Sequence, residues 1–249
     1  MLGWIAILVH FAAPAFNADF PRLAAFTPWI KICTLIIAGT FFLLSVSEVF
    51  IWRRRRIAFV LFVSAAAVLY LTVLLLHVRT PWIYISLLFI SIGYGMVQAI
   101  RYYGWRSPYL YSLLLLAPYG GWTAQQAIRG NLWHGMNFYL FGFFYVTGCV
   151  YFRHFRRFSP GVILTSAAFM AWGCVFPLST ILSALGTGPG AGSVFWDLPK
   201  FFVAFGMILT LFENQTDVAS TVALQYQVLF ENNLAAVYVS SPEGRLLNC

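Results

Sequence analysis

Seven long apolar runs, joined by short loops that alternate between arginine-rich and nearly chargeless, constrain this chain more than any other feature. They cover residues 29–52, 57–78, 82–100, 108–128, 133–152, 160–185 and 194–212. Each is close to the roughly 20 residues that cross a bilayer core. A backbone buried in lipid must satisfy its own hydrogen bonds, which leaves helices as the natural solution for runs of this kind. Hydrophobic residues make up 61% of the sequence and charged residues 9%, whereas a soluble domain is about a quarter charged. The expected fold class is therefore all-α, a polytopic transmembrane bundle embedded in a lipid bilayer.

The arginines give the bundle a direction. Arg53, Arg54, Arg55 and Arg56 follow the first run, Arg101 and Arg106 the third, and Arg153, Arg156 and Arg157 the fifth. The loops between hold only Arg79, then Arg129, then the chargeless GTGPGAGS. Arginine-rich loops stay in the cytoplasm, so the last run is expected to end there too. Trp29, Trp82, Trp133 and Trp196 fall near outer ends and Trp52 and Trp105 near inner ones, as interfacial belts do. The net charge of +8 is thus a topology and anionic-lipid signal, and it implies no nucleic-acid partner. The apolar segment 1–17 is open to three readings: an eighth helix entering from the cytoplasm, a signal peptide ending near Ala13-Pro14-Ala15, or an interfacial helix. Two cytoplasmic ends favour the first.

Polarity returns at Glu213, but no Gly or Pro interrupts the chain between Leu209 and Asn233. Phe212, Thr216, Ala219, Val222, Tyr226 and Leu229 recur at three and four residues, a modest heptad seam. A parallel homodimer through this linker is expected. Beyond it, Ala236–Val239 is β-prone, Ser241-Pro242-Glu243-Gly244 suits a type I turn, and Arg245–Asn248 can return as a second strand. The expected divisions are 1–28, an apolar segment and outer loop; 29–212, the membrane region; 213–229, a cytoplasmic linker helix; and 230–249, the start of a further domain.

Leu229-Phe230-Glu231-Asn232-Asn233, Val237-Tyr238-Val239, Pro242-Glu243-Gly244 and Leu246-Leu247-Asn248 together resemble the opening of a PAS domain. The resemblance covers only the last twenty or so residues; the rest of a PAS sheet and its ligand-facing helices are absent from the sequence. It implies the multi-span input region of a bacterial signalling protein, in the cytoplasmic membrane, cut at the start of its PAS domain. The output implied is a sensor histidine kinase or a diguanylate cyclase or phosphodiesterase, although this chain contains no catalytic signature and no readable cofactor.

Charges inside a bilayer are expensive, so they are functional candidates. Asp197 and Lys200 stand three apart on the last run and can share one helix face. Near the same outer level fall His77 and Arg79, Gln125, Gln126 and Arg129, then His134 and Asn137, with prolines at 118, 177 and 199. Asp197, Lys200, Arg129, His134, Gln125 and His77 are the candidate lining of an outward-facing pocket for a small polar or anionic ligand. Pro199 between the charged pair is expected to kink or begin its helix. His10, His77 and His134 lack ligand spacing on a shared helix, and the four cysteines lack paired spacing, so no metal or haem is implied. A retinal protein is the first alternative, because a Lys sits in the seventh run, but Asp197 is one residue too near Lys200 for the microbial rhodopsin pattern. A transporter is the second, against which stand the few midplane charges.

Overall fold

The computed structural model describes residues 2–15, 26–47, 53–104, 116–155, 158–184, 196–231, 239–240 and 246–248. Glu48, Trp52, Trp105, Arg106, Arg156, Arg157, the first part of the 108–128 run, the GTGPGAGS loop, the 241–244 turn and Cys249 lie outside the described residues.

Helices dominate. They are α1 (Leu2–Ala12), α2 (Thr27–Val46), α3 (Arg53–Phe59), a π-helical turn (Val60–Ser64), α4 (Ala65–Leu75), α5 (Pro81–Tyr103), α6 (Leu116–Ile128), α7 (Trp133–Phe155), α8 (Pro160–Ala184) and α9 (Leu198–Glu231). Prolines begin several of them. Pro28, Pro81, Pro160 and Pro199 all sit in first turns, where a missing N–H leaves no gap in the helical ladder. Pro177 is inside α8. Pro199 thus begins α9 and does not kink it.

Four described helices are long and apolar enough to cross a membrane: Thr27–Val46, Arg54–Leu75, Pro81–Gln98 and Pro160–Leu182. Among the described residues the count is thus four, against the seven expected from the sequence. Helix α7 has the length, at 23 residues, but His134, Asn137 and its tyrosines dilute its apolar character. In α9 the apolar stretch that opens at Leu198 stops at Glu213. Only Leu116–Ile128 of the fourth run is described, and it is short.

Helix α7 sits at the centre, touching α2, α4, α6 and α8. Pairwise contacts give the directions. Trp29 stacks on Trp133 and a Cβ at Gly39 would touch Phe143, so α2 and α7 run parallel. Phe59 meets Phe143 while the Tyr70 hydroxyl donates to the Leu132 carbonyl at 2.6 Å, so the α3–α4 rod runs against α7. Helix α8 is antiparallel to both neighbours. Backbones approach closely here: a Cβ on Gly148 would lie 2.7 Å from the Ser166 carbonyl oxygen, and one on Gly173 2.9 Å from the Tyr145 nitrogen. Helix α1 returns antiparallel along α2, with Trp4 against Phe42 at one end and His10 at Lys31 at the other.

The π turn lies opposite α5. Widening the helix there frees the Phe62 carbonyl, which accepts the Ser91 hydroxyl at 3.0 Å. Ser91 also meets Tyr139 at 3.1 Å, and Ser64 meets Thr40 at 2.8 Å. Ser91, Tyr139, Ser64 and Thr40 are thereby partnered across helices, as an apolar interior demands.

One end of the bundle gathers Arg54, Arg55, Arg56, Arg101 and Arg153, and α9 leaves at this same end, where Glu213 meets the start of α8. At the tail, Val239–Ser240 pairs antiparallel with Leu246–Asn248. Two strands of this length make no independent sheet, and they do not amount to a PAS domain.

Candidate functional site

The site is built at the opposite end, where α1 finishes and α9 begins. Gly3, Ala6, Ile7 and His10 are the buried residues of α1; their spacing of three and four puts them on one face. That face lies on α2, and its last turn delivers the His10 ring. Helix α9 starts just after Asp197, so this aspartate occupies the flanking position where carboxylates suit free helix N–H groups. The Lys200 N–H donates to the Asp197 carbonyl at 3.0 Å.

The Lys200 side chain folds inward. Its Nζ donates to Asp197 Oδ1 and lies 3.2 Å from His10 Nε2. It also stands 4.9 Å from the centre of the Phe11 ring and 5.8 Å from that of Trp172. Lys200 is 7% exposed, as is His10, while the Asp197 side chain keeps 36%. The lysine therefore does not snorkel outward; it is a buried cation held by a half-wet carboxylate, an imidazole and two aromatic faces.

The partners of His10 fix its protonation pattern. Nδ1 faces the Lys31 carbonyl oxygen at 3.1 Å. A carbonyl only accepts, so Nδ1 carries the proton. Nε2 is then a bare lone pair, the acceptor for Lys200. The group is neutral as a whole: ammonium, carboxylate and uncharged imidazole. Trp172, the ring above Lys200, lies deep in the core, stacked on Phe144 with centroids 3.8 Å apart.

The other sequence candidates do not join this group. Arg129 and Gln125 are exposed at the α6–α7 corner, where the Arg129 N–H donates to the Gln125 carbonyl at 3.2 Å. His134 stands against Trp122, ring centroids 5.0 Å apart. His77 is exposed at the end of α4 with φ of 55°. None shares a hydrogen bond or ion pair with Asp197 or Lys200. Of the six expected pocket residues the structure brings together Asp197 and Lys200, and the third member of their group is His10. Among the described residues, no group of three metal-ligating side chains comes together.

Sequence reasoning missed His10 because the pair Lys200 and His10 is separated by 190 residues and no local period links them. It also missed the device that seats α9. Gly161 and Thr165 on α8 face Thr210 and Gly206 on α9. A Cβ on Gly161 would come within 2.6 Å of the Thr210 nitrogen, and one on Gly206 within 2.5 Å of Thr165 Oγ1. Both helices thus present a Gly-x-x-x-Thr pair, a pattern that was readable as a close-packing motif. Glu213 completes the seam: its Oε1 accepts the Gly161 N–H at 2.9 Å, a carboxylate on a helix N-terminus. No protein-family model, curated protein or solved structure matches the chain.

Proposed function

We propose that this chain is the membrane-embedded input module of a signalling protein, and that α9 is its output rod. The observation that carries the proposal is the continuity of α9. Its 34 residues span about 50 Å at 1.5 Å per residue. One end holds the buried triad; the other stands clear of the bundle, with Asn214 through Phe230 exposed. The reading takes seven spans, adding α7, the α6 run and the start of α9 to the four apolar helices. It places the arginine-rich end in the cytoplasm of a bacterial cell and the tail at the start of a PAS domain.

The exposed side of α9 argues for a second copy alongside. Phe201, Phe205, Ile208, Phe212, Gln215, Ala219, Val222, Tyr226 and Leu229 alternate at four and three residues, and all are exposed. That period of 3.5 is the seam of a parallel coiled coil. The seam runs past Glu213 without changing phase. Lipid can cover its first half, but its second half needs protein. A helix lying on the membrane is disfavoured by charge: 213–231 contains three acids and no Lys or Arg, and anionic headgroups repel it. Glu213 and Asp217 lie off the seam, so like charges are kept out of the contact.

A stimulus at the triad end would act by favouring one of two seatings of α9, with unequal affinity for the two. Single cysteines at Val222, Tyr226 or Leu229, in a chain whose native cysteines are replaced, should form inter-chain disulfides in membranes, whereas Asp217→Cys and Gln227→Cys should not. Lys200→Met should change the ratio of yields at Val222 and Leu229. Equal yields all round the helix, or no response to Lys200→Met, would overturn the relay.

A further inference from the structure

We propose that His10 is a proton-binding site that operates a latch between the N-terminal helix and α9. His10 Nε2 is an acceptor only while it carries no proton. When a proton binds its lone pair, the N–H so formed points at the Lys200 ammonium, and two cations replace a donor and an acceptor. The hydrogen bond across α1 and α9 is then lost. Nδ1 keeps its bond to the Lys31 carbonyl, and Lys200 keeps Asp197, so neither α2 nor the ion pair needs to rearrange.

The surroundings make this site one-sided. Among the described residues, Lys31 of α2, Lys200 of α9 and Asp197 just before α9 are the charged groups that face His10. Helix α8 offers only the Trp172 ring, over Lys200, and within α1 the neighbour is Phe11, whose ring is edge-on to His10 with centroids 5.6 Å apart. The one carboxylate is already committed to Lys200. Among the described residues no second anion is at hand to accept a protonated imidazole, so the added charge is relieved by separation of α1 from α9. Little else holds the two helices at this point: besides the His10–Lys200 bond, they meet through the Phe11 ring, which lies 4.9 Å from Lys200 Nζ and stacks on Phe201 at 6.4 Å. By contrast α9 and α8 are interlocked through Gly161, Thr165, Gly206 and Thr210. The movable partner is therefore α1. The ligand class is the proton, and the latch stands whether or not α9 relays a signal.

The test measures the α1–α8 distance, with α8 standing in for α9. Nitroxides are placed by Leu8→Cys and Ile181→Cys in the full chain, native cysteines replaced, diluted with unlabelled copies in lipid. Between about pH 8 and about pH 3, a range carried below ordinary imidazole titration because a buried ring beside the Lys200 ammonium resists a second charge, the distance should change from one narrow population to a longer or broader one. His10→Gln keeps an acceptor toward Lys200 and cannot titrate here; it should hold the narrow population throughout. His77→Gln, His134→Gln and His154→Gln should behave as the wild type. A second readout does not depend on altering His10. The triple variant lacking the other three histidines leaves one imidazole, whose nitrogen-15 spectrum should show Nδ1–H at high pH and both nitrogens protonated in step with the distance change. A wild-type distance that ignores pH, a His10→Gln chain that shifts like wild type, or a distance change without imidazole protonation would overturn the latch.

Discussion

The two halves of α9 share one helix and live by different rules. In Leu198–Phe212 the inner face, Val203, Gly206 and Thr210, is buried against α8, and small residues let the backbones touch. From Asn214 to Phe230 every residue is exposed, and hydroxyls turn back on their own helix: Thr216 donates to the Phe212 carbonyl, Ser220 and Thr221 to that of Asp217. The first half is placed by tertiary packing. The second is helical by local propensity and by whatever joins it. The same covalent rod is thus packed against α8 at one end and exposed at the other.

Substitutions should separate the halves sharply. The largest effect is expected at the glycine contacts. Gly206→Val forces a side chain into Thr165 and should destabilise the α8–α9 pair by about 3 kcal/mol, the upper range for overpacking; Gly161→Val should behave alike. In the projecting half Ala223→Val should change the melting temperature in detergent little, within about 0.5 kcal/mol. Similar losses at both sites would erase the distinction.

Next comes the triad. Asp197→Asn leaves Lys200 buried beside a neutral amide and should lower stability by about 2 kcal/mol, less than a fully buried pair would lose because Asp197 is over a third exposed. Lys200→Met leaves the carboxylate able to hydrate and should be milder. The order of the two variants in a thermal melt sharpens the point; the reverse order would mean that Lys200 is not the desolvated partner. Smallest is Glu213→Gln, which keeps an acceptor for the Gly161 N–H but removes the charge from the α8 N-terminus. A loss of about 0.5 kcal/mol is expected, seen as a reduced melting temperature that salt narrows.

The sequence shows these features unequally. Apolar runs and arginine loops are dense local signals, so the helices and the common end of Arg54–Arg56, Arg101 and Arg153 could be read directly. The helical period through 212–229 was readable too, because it is a property of one segment, and α9 is helical throughout that stretch. The Asp197–Lys200 pair was legible at three-residue spacing. His10 was not, since only the folding of α1 onto α2 carries it to Lys200. The aromatic rings around that group, Phe11 and Trp172, looked like ordinary core residues for the same reason. Gln125, Arg129, His134 and His77 were legible as polar residues at a similar depth, but depth alone does not tell which side chains meet, and they stand apart from Asp197 and Lys200.

The account depends most on α9 being one helix with a single outer face from Phe205 to Leu229. A nitroxide scan of those positions in lipid, one label at a time, measures that directly. Side-chain mobility should oscillate with a period near 3.5 residues and keep one phase through Glu213 and Thr216, with minima at Phe212, Ala219, Val222, Tyr226 and Leu229. A flat, mobile stretch beginning at Glu213, or a phase slip there, would mean that the buried triad and the projecting half are not joined by a rod.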